Sequence, residues 1–209
     1  MTQFEIKHFQ VGQIMTNCYL MINKETRECL VIDPGDQPDK IKNKIAEANA
    51  KPVAILLTHG HFDHILAMNE IKRAYGIEIY AHEDERVMFE DTKNSMLSQM
   101  GVTEAYEADI YMHGEPKLSL AGFDIQVLLT PGHTPGGVCY YFADQGILFA
   151  GDTLFHGSVG RTDFPGGSAS ALLRSVEEKL FILPEDTVVY PGHESSTSIG
   201  WEKKYNPFF

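Results

Sequence analysis

The run "ILLTHGHFDHILAM", Ile55 to Met68, places His59, His61, Asp63 and His64 within six residues, immediately after an apolar stretch. His59 and His61 are two apart, so on extended backbone both imidazoles project to one side. Asp63 and His64 follow where a helix begins, and an aspartate there can cap the helix while still presenting its carboxylate. Two further histidines close similar runs, His133 in "LLTPGH" and His193 in "VVYPGH", and Asp152 closes "ILFAGD". Five imidazoles and two carboxylates form a donor set suited to zinc or another borderline divalent metal. Seven donors exceed what one tetrahedral ion with an open position uses. Two ions sharing a carboxylate fit the number, with zinc favoured and iron or manganese as alternatives. A structural zinc site would more often be closed by cysteines, and Cys18, Cys29 and Cys139 lie away from these motifs. The pattern therefore predicts a catalytic centre.

Donors so far apart in sequence meet only if the backbone carries them to one place. Four times an apolar run ends in a small or turn residue followed by Asp or His: "LVIDPGD", "AILLTHGH", "QVLLTPGH" and "TVVYPGH"; "ILFAGD" is a shorter fifth case. Strand ends that share one edge of a layered fold bring such loops together. "NCYLMIN", "IEIYAHE" and "VCYYFA" add further strands, and several of these runs are continuously apolar, as strands buried on both faces are. Between them, "DQPDKIKNKIAEANA" predicts a helix with Ile41, Ile45 and Ala48 at helical spacing. "DHILAMNEIKRAYG" predicts a second, with Ile65, Met68, Ile71 and Ala74 along one face and a stop at Gly76. "SASALLRSVEEKLFILP" predicts a third, capped by Ser168 and closed before Pro184. Residues 84–117, with Met88, Met96, Met100 and Met112 among polar neighbours, show no regular pattern; a lid, a substrate wall or a helical excursion would each account for them. "EKKYNPF" reads as a packed C-terminal anchor.

The 209 residues suffice for a sizeable core and are read as one domain, 1–209. A formal charge of −12 argues against nucleic acid or an anionic membrane as partner. No apolar run approaches the roughly 18 residues of a membrane span. The opening "MTQFEIKHFQVGQIMTNCYLM" has no basic segment followed by a long apolar core, so no secretory signal is expected. Three scattered cysteines in apolar surroundings read as buried thiols of a reducing compartment, which predicts a cytoplasmic protein. His8, His82, His113 and His156 fall outside the motifs and read as surface or core residues, His156 being nearest to them. Nothing in the sequence sets the oligomeric state.

"THGHFDH" with "PGH", "GD" and "PGH" at these separations resembles the metallo-β-lactamase superfamily over nearly the whole chain. The resemblance implies an α/β fold, a four-layer αββα sandwich of two similar halves. It implies that His59, His61 and His133 hold one metal and Asp63, His64 and His193 the other, with Asp152 bridging them. His64 and Asp152 look more like the glyoxalase II branch than like secreted β-lactamases, which often have Arg or Cys at equivalent points. "FHGSVGRTDFPGGS" and "GWEKKYNPFF" resemble the short bacterial hydroxyacylglutathione-hydrolase-like proteins. Arg161 and Asp163 are expected to pair and brace the loop after Asp152, and Asp33 to orient a ligand histidine. Full-length glyoxalase II carries a C-terminal helical extension that supplies glutathione contacts, and from its end at Phe209 this chain is expected to depart from that pattern.

Two divalent ions roughly 3.5–4 Å apart can share one water and lower its pKa from about 15.7 towards about 7. Asp63 and Asp152 are the expected catalytic carboxylates, fixing that hydroxide while holding metal. A thiolate leaves without help from a general acid, and the motifs contain no spare acid. The expected reaction is hydrolysis of a small acyl thioester such as S-lactoylglutathione, or of a related ester. The alternative comes from persulfide dioxygenases, which share this fold and a similar "GRTDF" stretch; there His59, His133 and Asp152 would bind one iron. A β-lactamase is disfavoured by the missing signal, and a nuclease by the acidic balance.

Overall fold

Side chains on the apolar runs alternate between two cores, and that alternation sets the layers. The computed structural model describes residues 2–102 and 106–209. One sheet places β1 (Phe4–Val11), β2 (Thr16–Asn23), β3 (Glu28–Ile32), β4 (Lys51–Leu56), β5 (Glu78–His82) and β6 (Ile110–Met112) side by side in chain order. From β3 to β6 the strands run parallel. The other sheet contains β7 (Lys117–Leu120), β8 (Phe123–Leu129), β9 (Val138–Phe142) and β10 (Ile147–Gly151). A short hairpin, β11 (Leu154–Phe155) with β12 (Ser158–Val159), leads on to β13 (Val188–Pro191), parallel to β10, and the edge strand β14 (Thr197–Ser198).

Cys18, Leu20 and Ile22 of β2 and Cys29 and Val31 of β3 face outwards, onto helices α1 (Pro38–Glu47), α2 (Phe62–Ile65) and α3 (Met68–Tyr75) through Ile41, Ile45, Ile65, Met68 and Ile71. The intervening Tyr19, Met21, Leu30 and Ile32 face the second sheet, meeting Phe123, Val127, Tyr140 and Phe149. The far side of that sheet, with Cys139, Leu148 and Ala150, packs on Val176, Leu180 and Ile199. After α4 (Arg86–Glu90), the helical layer on that side holds α5 (Ala169–Ser175), whose π-helical continuation Val176–Leu180 makes the first two of those contacts, and α6 (Ile199–Tyr205), which makes the third. Helix, sheet, sheet and helix are thus stacked as the four-layer αββα sandwich of two similar halves. No described helix is long and apolar enough to cross a membrane.

Two local expectations are corrected. The helix predicted from Asp63 to its stop at Gly76 is two helices, because the Ala67 N–H bonds the Pro34 carbonyl at 3.0 Å instead of continuing the ladder of α2. Ala74 is exposed, so the inward face of α3 ends at Ile71. Gly76 stops α3 in the left-handed conformation at φ 66°, and the Ser168 hydroxyl accepts from the Ala171 N–H at the start of α5. In the irregular stretch 84–117, Met88 and Met112 are core and Met100 is exposed; its residues 103–105 lie outside those described. The C-terminal anchor is held by buried Glu202, which accepts from Gly157 N–H at 3.1 Å, Thr197 Oγ1 at 2.5 Å and Asn206 Nδ2 at 2.7 Å.

Candidate metal centre

Five strands end at one rim. β3 leads to Asp33, β4 to His59 and His61 with α2 carrying Asp63 and His64, β8 to His133, β10 to Asp152 and β13 to His193. All seven predicted donors meet there. They form three groups whose ligand atoms all lie within 4.8 Å of one another: His59, His61 and His133; Asp63, His64 and His193; and His59, His64 and Asp152. The third takes one imidazole from each of the others, so Asp152 stands between the two triads. Its Oδ1 is 3.4 Å from His64 Nε2 and its Oδ2 3.5 Å from His133 Nε2. Asp63 Oδ2 lies 3.3 Å from both His64 Nε2 and His193 Nε2.

The test of fit to a cation is what these atoms lack. His59 Nε2, His61 Nε2, His64 Nε2 and Asp152 Oδ1 are buried without a hydrogen-bond partner, and each such atom costs about 1–3 kcal/mol if left so. The opposite ring nitrogens decide which lone pairs are free. His64 Nδ1 donates to Asp33 Oδ2 at 2.9 Å, and Thr58 Oγ1 donates to the same oxygen at 2.7 Å. With its proton committed, the Thr58 oxygen accepts from His59 Nδ1 at 3.1 Å. His133 Nδ1 donates to the Arg161 carbonyl at 2.7 Å. In the rings of His59 and His133 this leaves Nε2 as the bare lone pair a metal requires, and in His64 it makes Nε2 the nitrogen that would give up its proton to one. His61 Nδ1 and His133 Nε2 approach to 2.8 Å, two nitrogens converging on one point. The histidine and aspartate groups therefore fit a dinuclear metal site.

Electrostatics point the same way. Burial, aided by the neighbouring imidazoles, holds His59 neutral with its pKa well below the usual value, and takes that of His61 down to about 3. Burial would also discharge His64, but the carboxylates of Asp63, Asp152 and Asp33 outweigh it and raise its pKa. Burial of Asp152 is likewise outweighed, by His64 above all, and its pKa falls to about 2. Without metal, a proton on His64 does the neutralising that the carboxylates demand. Close approach is built in at Gly192, where a Cβ would lie 2.1 Å from Asp152 Oδ1; only glycine fits there.

Metal removal is expected to lower the melting temperature. An ion held at about 1,000 times its Kd stabilises by about 4 kcal/mol, and each kcal/mol shifts Tm by about 2–4 °C in a chain of this size. Thermal unfolding before and after chelation should therefore differ by about 8–16 °C per ion, with recovery on adding zinc back. An unchanged Tm would mean that these donors are satisfied without metal.

The remaining predicted residues fall into place unevenly. Arg161 and Asp163 do pair, through Nε at 3.0 Å and Nη2 at 2.8 Å, with the guanidinium 4.2 Å from the centre of the Phe164 ring. Both side chains are exposed. What steadies the site is the backbone carbonyl of Arg161 on His133, a role no side-chain reading finds. His156 bonds Ser195 Oγ and sits edge-on to Trp201; His8 bonds Asn17, His82 bonds the Gly114 carbonyl and His113 bonds Glu83. None of these four belongs to a donor group. The three cysteines are buried and free, with thiol pKa values pushed up by burial, so they are poor nucleophiles. Sequence reading missed Thr16, whose hydroxyl donates to Asp63 Oδ2 at 2.7 Å, and Thr58, inside the motif itself. It also missed Glu85, a buried acid whose pKa burial raises to about 7.

Over the donors lies a cavity of about 520 Å³, walled by Ile14, Met96, Phe155 and Phe164, with Lys93 and Arg161 also in its lining. The stretch 84–117 thus contributes a wall through Lys93, Met96 and Gln99.

An αββα sandwich with paired His/Asp donor groups at one rim defines a metallo-hydrolase scaffold. The chain belongs to the metallo-β-lactamase superfamily, whose family model matches residues 11–193. It is 41% identical over 205 residues to the probable metallo-hydrolase YqgX of Bacillus subtilis (strain 168), covering 97% of this chain and 96% of that one. The hydroxyacylglutathione hydrolase GloC of Haemophilus influenzae is 35% identical, with 97% of each chain covered. Among solved structures, the BLEG-1 B3 metallo-β-lactamase superposes with a TM-score of 0.92 at 39% identity, covering 98% of this chain and 99% of that one. TTHA1623 in a di-iron-bound form gives 0.84 at 35%, covering 97% and 100%. ETHE1 from Myxococcus xanthus gives 0.81 at 30%, covering 97% and 83%.

Proposed function

We propose that this chain is a cytoplasmic, single-domain metal-dependent thioesterase that hydrolyses a small acyl thioester such as S-lactoylglutathione, or a related acyl ester. The observation that carries the reading is the joining of two three-donor groups through Asp152 at the floor of an open cavity. His59, His61 and His133 would hold one divalent ion, Asp63, His64 and His193 a second, and Asp152 both; zinc suits the donors, and iron or manganese are the alternatives. When bound, the ions supply Lewis-acid polarisation of the carbonyl and a water acidic enough to attack at neutral pH.

The chain's own residues do the rest. Thr16 and Asp33 hold Asp63 and His64 from behind, so these side chains keep their direction while substrate enters. Ile14, Met96, Phe155 and Phe164 shed water from the acyl site. Among the described residues, the ionisable groups lining the cavity are the proposed metal donors together with Lys93 and Arg161. No carboxylic acid or free imidazole remains there to protonate a basic leaving group. A thiolate needs none, which supports a thioester over an amide. The similarity to GloC, named as a hydroxyacylglutathione hydrolase, supports the same substrate class.

Lys93 has no acidic partner among the described residues, whereas Arg161 is paired with Asp163. Charge reversal, Lys93→Glu, is expected to raise KM for S-lactoylglutathione about tenfold, equivalent to about 1.4 kcal/mol. Its kcat and the hydrolysis of an uncharged thiol's ester should stay unchanged. Equal losses on both substrates would remove Lys93 from substrate recognition.

The deciding experiment follows thiol release from S-lactoylglutathione by zinc-reconstituted protein, with metal content measured on the same sample. Turnover with two ions per chain is expected. Two zinc ions without turnover would reject this substrate. A single bound iron with oxygen consumption on glutathione persulfide would replace the reading by the dioxygenase one, which uses His59, His133 and Asp152 and leaves four converging donors without a task.

A further inference from the structure

A carboxylate with no cation beside it lies behind the first triad. Glu85 closes the 3-10 turn Glu83–Glu85 and is 1% exposed. Its Oε2 accepts the N–H of Gly60, the residue between His59 and His61, at 3.2 Å. Its Oε1 accepts the N–H of Gly136 at 3.1 Å and the hydroxyl of Thr134, the neighbour of His133. Both loops are seated on this turn without space to spare. A Cβ on Gly60 would lie 2.7 Å from Met88 Cβ, and one on Gly136 would lie 2.4 Å from the Glu85 nitrogen. Among the described residues no lysine or arginine forms an ion pair with Glu85. A buried acid held by amide and hydroxyl donors is a poor choice for stability alone, since apolar residues of similar volume often serve as well or better.

Glu85 therefore touches the first triad's loops from both sides and makes no bond to the second triad, whose Asp63 and His64 are held by Thr16 and Asp33. We propose that Glu85 is a positioning residue that sets the separation between the His59–His61 pair and His133, and so governs metal affinity at that triad alone. The proposal rests on the dinuclear reading of the site.

The test is cobalt(II) titration, followed by visible absorption with chelator competition, in two backgrounds. His193→Ala leaves the first triad complete, and His61→Ala leaves the second. Glu85→Gln keeps the side-chain shape but turns an N–H donor towards the Gly60 N–H. In the His193→Ala protein it is expected to weaken cobalt binding 10–100-fold, the usual cost of removing a group that orients ligands. In the His61→Ala protein it should change nothing. Equal weakening in both backgrounds, or none in either, would overturn the proposal and leave Glu85 a structural residue. Should Glu85→Gln fail to fold, Thr134→Val removes one of the same bonds and should show the same one-sided loss to a smaller degree. Wild-type protein that binds fewer than two cobalt ions would overturn the dinuclear reading and the proposal with it, whereas two ions with equal weakening overturn the proposal alone.

Discussion

Asp152→Ala is expected to abolish most turnover and to leave fewer than two ions on the protein. Its carboxylate reaches both triads, Oδ1 lying 3.4 Å from His64 Nε2 and Oδ2 lying 3.5 Å from His133 Nε2 and 3.6 Å from His193 Nε2, so one substitution withdraws a donor from both. It also removes the charge that, with Asp63 and Asp33, keeps the His64 pKa raised. Losing one preorganised electrostatic contact at a reacting centre costs about 10²–10³-fold in kcat; losing one that also organises two ions should cost at least that. Asp152→Asn separates charge from shape, because the amide fills the same space against Gly192. Both variants should fold, since Asp152 holds no strand in register. Metal content and thiol release on the same preparation check the prediction. An alanine variant with two ions and full activity would show that Asp152 bridges nothing.

Asp33→Asn is the second large effect, and it reaches both triads without touching either ion. Asp33 stands at φ 50°, in the left-handed region that Asn tolerates well, so the backbone can be kept. The native carboxylate accepts from the Thr58 N–H, the Thr58 hydroxyl and His64 Nδ1. An amide can accept at only one end and must place two donors at the other. Either His64 Nδ1 then faces an N–H and its proton moves to Nε2, or the Thr58 hydroxyl turns away and frees His59 Nδ1. The first blocks the His64 lone pair needed for metal, and the second leaves the His59 tautomer unfixed. Affinity should fall 10–100-fold, read by competition with a chromophoric chelator. Thr58→Val should reproduce the His59 part only, and the double variant should be less than additive because the residues share one chain of bonds. Unaltered affinity in Asp33→Asn would mean that the ring orientations are set by packing instead.

The strands were legible where both faces are apolar. β2, β3, β9 and β10 are buried along almost their whole length, as is the second half of β4, and a continuous apolar run says so directly. The edge strands β1 and β7 are partly exposed and polar, so their runs did not stand out. The donors were legible because histidine and aspartate at strand ends have few structural reasons to be there. The groups behind them were legible only in part. Asp33 stood out in a turn motif, but Glu85 lies in the acidic run "HEDE" and nothing local separates a buried acid from its neighbours, half-buried Glu83 and exposed Asp84. The Arg161 contact to His133 is a backbone carbonyl, which any residue could supply, so sequence reading found its side-chain pair with Asp163 and not that contact. The break between α2 and α3 depends on the Pro34 carbonyl from another loop, and helical periodicity carries no trace of it.

One consequence of the donor arrangement concerns time. Each of the three groups takes two donors from the first half of the sandwich and one from the second: His59 and His61 with His133, Asp63 and His64 with His193, His59 and His64 with Asp152. An ion held by any of these groups would cross-link the halves, adding to the bonds that already tie the rim, from the Asn17 N–H to the Gly192 carbonyl, the Tyr19 hydroxyl to the Pro191 carbonyl and the Val138 N–H to the Thr58 carbonyl. To leave, it must be dropped by two separately anchored parties, and the donors of either half can rebind it before the other lets go. Metal exchange should then follow the loosening of those ties as well as the lability of single metal–nitrogen bonds, so chelation and reloading should be slow but complete.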